Sequence, residues 1–286
     1  MAYRIFTDTC CDYPQNMYSE LGLEAVCLTV NFEGKAYNSY PESFLQQFYQ
    51  GLRTGAVTQT SAVNPEGWKA VIEPALQAGE DALVLAFSSG LSTTYQSAVI
   101  AAEELMEAYP GRTVKVVDTL CASLGQGLFV YHACKQKEAG LSLDALYTWC
   151  EENKLHLCHW FTVDDLMYLK RGGRVSATTA LVGTMLQIKP VLHVDNEGKL
   201  INVGKVRGRK ASIEALAKKM GETALPGKND TVFICHGDCL EDAQYLEKLV
   251  REAYGVKDVL IYYTGAVIGS HSGPGTLALF YLGEHR

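Results

Sequence analysis

Three short polar stretches carry the residue types most able to do chemistry in this chain. They are Thr7-Asp8-Thr9, Ser88-Ser89-Gly90-Leu91-Ser92 and Asp118-Thr119, and each follows a short apolar run. Hydroxyls, a glycine and the opening of a helix together suit an anion. The first N–H groups of a helix lack internal partners, and its dipole favours negative charge there. Ser92 serves equally well as an N-cap, which would explain one serine but not three around a glycine. A lone histidine, His271, sits in Ser270-His271-Ser272-Gly273-Pro274-Gly275. By itself it reads as a turn residue ahead of a helix with Pro274 at the first position.

Other motifs fail on inspection. Gly125-Gln126-Gly127 begins like a dinucleotide fingerprint, but Val130 replaces the third glycine, and small residues on a buried helix explain it better. No lysine-bearing phosphate loop is present. Ser88-Ser89-Gly90 lacks the leading glycine of a nucleophile elbow. Asp164-Asp165 precedes Leu166-Met167 and reads as an N-cap with a first-turn acid rather than a metal or acid–base pair. Arg174 suits the capping of carbonyls between domains as well as any ligand role.

The elements that must position these residues are α/β in character. Tyr3 to Phe6, Ala82 to Phe87 and Val114 to Val117 are continuous apolar runs bounded by polar turns, as expected of strands buried on both faces. Tyr95, Ala98, Val99, Ala102, Leu105, Met106 and Tyr109 fall at helical spacing, and Pro110-Gly111 stops the helix. Strand, helix, strand implies a parallel pair. Ligands of open parallel sheets bind beyond the carboxyl ends of the strands, so the three polar stretches should share one sheet edge. The second half is mixed. Leu157 to Val163 reads as a strand, and Arg171-Gly172-Gly173-Arg174 as a turn after a short helix. Pro190 to Val194 and Leu200 to Val206 flank Asp195-Asn196-Glu197-Gly198 as a hairpin. A helix from about Arg209 to Glu222 follows, then a strand at Thr231 to Cys235, a helix at Leu240 to Tyr254 and a strand at Val259 to Tyr263. The domain boundary falls near residue 155.

Composition narrows the class of function. The 286 residues carry a formal net charge of −7, which argues against a nucleic-acid footprint. The one basic cluster, Lys205, Arg207, Arg209 and Lys210, suits a solvated strand end and helix start as well as a docking patch. Nine cysteines at irregular spacing make neither a disulfide framework nor a zinc site, and suit buried thiols in a reducing cytoplasm. No signal-peptide core is evident near the N-terminus, and no apolar run approaches the ~20 residues of a membrane span.

Several of these segments together resemble the DegV family. Thr7-Asp8-Thr9 with Asp12 and Pro14 looks like its opening strand and loop, and Thr60-Ser61 followed by Pro65 like its threonine–serine loop. Ser88 through Ala98 is close to its most recognisable stretch. Leu169 through Ser176 resembles its glycine–arginine motif; Ile188-Lys189-Pro190 and Lys205 through Ala211 continue the pattern, and His271 through Thr276 closes it. Two departures stand out: Ala62-Val63-Asn64 intervene before Pro65, and Thr93 replaces a glycine usual after Ser92. The resemblance implies a two-domain α/β fold. It would comprise a parallel-sheet, Rossmann-like N-terminal domain over 1–155 and a mixed-sheet C-terminal α/β domain over 156–286. It implies a long-chain fatty acid enclosed between the two, with no cofactor and no catalysis by this chain. Carried over by position, the carboxylate contacts are Thr60, Ser61, Ser92 and His271. A fatty acid kinase catalytic subunit would be the partner, meeting Arg207 and, less directly, Arg209. Two other readings remain beside it: a small hydrolase or phosphotransferase related to the dihydroxyacetone-kinase fold group, and a lipid-sensing regulator.

Overall fold

The computed structural model describes residues 2–176 and 187–286. The apolar runs of the first half become β1 (Tyr3–Asp8), β6 (Asp81–Ala86) and β7 (Val114–Asp118). With β2 (Glu24–Val26) they form a four-stranded sheet in the order β2-β1-β6-β7, parallel throughout. Every residue of β6 is buried, as a central strand covered on both faces requires. The helix read from its periodicity is α4 (Thr94–Ala108), which connects β6 to β7.

The polar stretches do meet at the carboxyl edge of this sheet, and their acids tie the edge together. Asp8 accepts hydrogen bonds from the Cys10 and Phe87 N–H groups at 2.9 and 2.8 Å. Asp118 accepts from Ser89 N–H at 3.1 Å. Burial pushes the Asp8 carboxyl up to about 6, against the pull of those N–H groups.

The second half builds a six-stranded mixed sheet in the order β10-β9-β8-β13-β11-β12. Its strands are β8 (Leu157–Thr162), β9 (Ile188–Val194), β10 (Leu200–Arg207), β11 (Thr231–His236), β12 (Asp258–Tyr263) and β13 (Leu277–Leu282). The hairpin β9–β10 forms as its turn residues predict, with a bulge at Asn202 and Gly204. A third, antiparallel sheet of β3 (Thr29–Phe32), β4 (Lys35–Tyr37) and β5 (Thr58–Ser61) carries the threonine–serine segment. Among the remaining described helices are α1 (Gln15–Glu20), α2 (Glu42–Arg53), α3 (Pro65–Gln77), α5 (Leu124–Glu138), α6 (Leu143–Asn153) and α7 (Met167–Arg171). Beyond β10 lie α8 (Arg209–Thr223), α9 (Leu240–Tyr254) and α10 (Ala266–Ser272).

Helix α5 joins the two halves. Every residue from Leu124 to Val130 is buried, and the helix packs on β8, β11 and β13 of the second sheet. Its glycines permit that approach: a Cβ on Gly125 would lie 2.3 Å from His159 Nε2, and one on Gly127 2.8 Å from the Cys11 carbonyl oxygen. Gly125-Gln126-Gly127 is therefore a packing motif. One core cluster runs from Leu83 and Leu85 through Leu128 to Phe233 and Phe280, so the halves share apolar interior. Direct ties reinforce it. Tyr49 donates to the Thr264 carbonyl at 2.6 Å, and Ser88 Oγ donates to the Gly198 carbonyl at 2.9 Å. The Arg286 guanidinium donates to carbonyls of Leu120, Leu157 and Asp195.

Candidate lipid site between the two halves

A cavity of about 460 Å³ lies where β5, the β6–α4 loop, α7, α10 and the second sheet converge. That volume falls in the ~300–1,000 Å³ range typical of small-molecule sites. Phe87, Leu91, Phe161, Leu169, Val194 and Leu200 line it from one set of elements; Val267, Ile268, Ala278 and Phe280 line it from another. Arg174 is the one Lys, Arg, Asp or Glu side chain in the wall among the described residues.

Three of the four carboxylate contacts expected from the sequence lie in this wall: Thr60, Ser92 and His271. Thr60 Oγ1 and His271 Nε2 are 2.9 Å apart, although 211 positions separate them in the chain. Residues alternate faces along a strand. Thr60 therefore turns inward on β5, while its neighbour Ser61 is exposed and does not line the cavity. Ser92 Oγ lies 2.9 Å from Thr94 Oγ1 and accepts the Thr94 N–H at 3.2 Å. It thus helps close the start of α4 while standing in the cavity wall, so both roles read from the sequence are compatible. Thr93, the residue before α4, makes no side-chain cap.

His271 is not in a turn ahead of a helix. It occupies the last turn of α10, and Pro274-Gly275 leads into strand β13. Burial, reinforced by the nearby Arg174 charge, pulls its imidazole down to about 4. At neutral pH it is uncharged and can donate or accept. Gly172 makes room for the ring, since a Cβ there would lie 2.3 Å from His271 Nδ1. Arg174 donates from Nη2 to the Leu91 carbonyl at 2.9 Å and from Nη1 to the Gly172 carbonyl. It clamps the β6–α4 loop to the glycine turn, which is the carbonyl-capping role, and it also faces the cavity.

The departures near the site have structural reasons. Asn64 caps α3 by accepting the Gly67 N–H at 2.8 Å, Pro65 takes the first helical position, and Val63 is in the core. Ala62 and Thr93 both line the cavity. Asp165 is not the N-cap of α7, which is Leu166, but its carboxylate accepts the Met167 N–H at 2.8 Å at the helix start. Asp164 instead pairs with Lys189 at 2.6 Å and Arg209 at 3.6 Å. Arg209 pairs also with Asp242 at 2.8 Å. Arg207, at the exposed end of β10, makes no ion pair among the described residues. Ser123 was not anticipated from the sequence. It lines the cavity with φ 55 and ψ −150, a backbone region that non-glycine residues rarely adopt, and its Oγ donates to Asp12 Oδ2 at 2.5 Å. Among the described residues there is no cluster of three His, Cys, Asp or Glu side chains that could hold a metal.

Fold and site together define a two-domain α/β protein with a largely apolar cavity between its halves, walled by hydroxyls and a neutral histidine. The sequence profile of the DegV family, described as "Uncharacterised protein, DegV family", matches residues 2–284. The chain belongs to that family. A DegV domain-containing protein of Clostridium perfringens is 47% identical over 284 residues, 99% of this chain and 98% of the relative. Solved structures of the family match at nearly full length, among them two at over 30% identity. A DegV family protein from Thermus thermophilus, described by its fatty acid binding, is 35% identical with a TM-score of 0.88, covering 99% of this chain and 100% of its own. A DegV lipid-binding protein from Thermotoga maritima is 32% identical with a TM-score of 0.87, covering 100% of both chains.

Proposed function

We propose that this protein encloses one long-chain fatty acid between its halves and presents the carboxylate to a separate kinase subunit, which converts it to an acyl phosphate. The carrying observation is the apolar cavity with Thr60, Ser92 and His271 in its wall. The Thermus and Thermotoga relatives support the ligand class. A sixteen-carbon acid has about fourteen methylenes, worth roughly 11 kcal/mol gross at ~0.8 kcal/mol each, against ~4–15 kcal/mol for association and ordering. Affinity therefore comes mainly from the chain. The head group needs hydrogen bonds only so that its burial is not prohibitive. Hydroxyls and a neutral imidazole can do this and leave one oxygen open to a phosphoryl donor, which a bidentate arginine would not.

In this reading the chain needs no cofactor and performs no catalysis of its own. Kinase docking falls on Arg207, which is exposed, while Arg209 is engaged by Asp164 and Asp242. The nine cysteines, none in a disulfide, suit a reducing cytoplasm. No described helix is long and apolar enough to cross a membrane. Native mass spectrometry with solvent extraction tests the ligand: one C14–C18 acid per chain is expected. Protein that is lipid-free and takes up no such acid would sink the proposal. Incubation with ATP and magnesium, with and without the kinase, tests the rest. Acyl phosphate formed without the kinase would favour the phosphotransferase reading.

A further inference from the structure

A second cavity, of about 340 Å³, shares no lining residue with the first. Tyr13, Tyr18, Tyr40 and Tyr262 line it, with Asp12 and Gly265. Three of the four tyrosines have their hydroxyls engaged. Tyr13 donates to the Gly127 carbonyl, Tyr40 to the Leu28 carbonyl, and Tyr18 lies 3.2 Å from Cys11 Sγ. What these rings retain for a ligand is mainly their aromatic surface. The rings of Tyr13 and Tyr18 pack edge to face, 78° apart with centroids at 5.6 Å.

The electrostatics of the cavity have one sign. Among the described residues Asp12 is the one carboxyl in the wall, and no lysine, arginine or histidine lines it. Asp12 is 5% exposed, and its Oδ1 makes no hydrogen bond of ordinary geometry, although the Gly265 N–H lies on its side. Asp8 and Glu42 add negative field at Tyr18 and Tyr262. An anion would meet polar side chains here but no positive charge, and the neighbouring carboxyls would repel it. A hard metal ion needs several oxygen ligands, and no acidic cluster supplies them among the described residues. Aromatic faces beside a carboxyl are instead the surroundings that attract an organic cation.

We propose that this cavity binds a small organic ammonium ion, held by the tyrosine faces and the Asp12 carboxyl. The proposal does not rest on the fatty-acid reading: the two cavities share no lining residue, and the hydrogen bond from Ser123 to Asp12 runs between their walls. Choline chloride is a suitable probe, and 3,3-dimethylbutan-1-ol its uncharged isostere, both followed on the full chain by ligand-observed NMR at pH 8, where the Asp12 carboxyl is ionised. Saturable choline binding is expected, with the isostere weaker by at least ~10-fold. Tyr262→Leu and Asp12→Asn should each weaken choline by a similar factor, and Tyr262→Leu should leave the co-purified acid unchanged. Tyr262→Leu removes a partly exposed ring whose hydroxyl makes no hydrogen bond among the described residues, so it keeps the test open if Asp12→Asn fails to fold. Equal binding of choline and its isostere would overturn the proposal. So would no saturation by choline or butylammonium up to roughly 50 mM, or unchanged choline affinity in folded Tyr262→Leu.

Discussion

Ser92 and Ser61 make a matched pair for testing the head-group site. Both are serines expected to touch the carboxylate, yet Ser92 stands in the cavity wall and Ser61 is exposed on the far face of its strand. Ser92→Ala removes two things at once. Loss of a hydrogen bond to a charged group costs ~1.5–3 kcal/mol, which at ~1.4 kcal/mol per tenfold is about a 10- to 150-fold rise in Kd for a long-chain acid. Loss of the acceptor for the Thr94 N–H costs about 1 kcal/mol of stability, a fall of about 2 °C in a chain of this size. Ser61→Ala should change neither quantity measurably. The assay is displacement of a fluorescent fatty acid from delipidated protein, run beside thermal melting on the same samples. Refutation comes from either of two results. A drop in melting temperature with unchanged Kd would leave Ser92 as a cap alone, and equal weakening by the two substitutions would mean that β5 presents its other face to the ligand.

Gly172→Ala should weaken acid binding by at least ~10-fold, because the new Cβ displaces His271 and breaks its bond to Thr60; a crystal structure of the variant or the same displacement assay checks it. Arg207→Ala should leave the acid content intact and slow kinase-coupled acyl-phosphate formation, with the difference shrinking as salt rises, whereas Arg209→Ala should lower stability by stripping Asp242 and Asp164 of a partner. Burial pushes the Asp12 carboxyl from its ordinary 3.8 up to about 7, so the folded state holds the proton more tightly than the unfolded chain. Its contribution to stability is complete below about pH 4 and is lost as the pH rises to about 7, a change of at most roughly 4 kcal/mol at ~1.4 kcal/mol per pH unit. Urea unfolding at pH 5 and pH 8 should therefore show a smaller drop for Asp12→Asn than for the natural chain; parallel curves would contradict it.

The parallel sheet was legible because its strands are buried on both faces and so appear as unbroken apolar runs. Leu277–Leu282 carries the same unbroken apolar signal and forms β13 inside the second sheet, a strand absent from the elements expected of the sequence. The small antiparallel sheet left little trace. Its β5 is Thr-Gln-Thr-Ser, with partly exposed residues alternating with exposed ones, and no apolar face marks it. At the site, local chemistry identified the β6–α4 loop, but the pairing of Thr60 with His271 depends on tertiary packing across most of the chain. The helix that carries His271 was misplaced because Pro274 suggested a helix start, where the proline in fact sits in the turn before a strand. Arg207 and Arg209 differ only in what the fold brings to them, which spacing does not encode.

The neutrality of His271 bears on selectivity. A wall of hydroxyls and an uncharged imidazole can donate to a carboxylate, but it can also accept from an alcohol or an amide. The one formal charge beside it, on Arg174, is already shared between two carbonyl oxygens. Under the proposed function such a site would rank lipids by the length and shape of their chains more than by their head groups. Fatty alcohols and primary amides should therefore compete with a long-chain acid for it, and under the proposed function discrimination against them would fall to the kinase rather than to this chain.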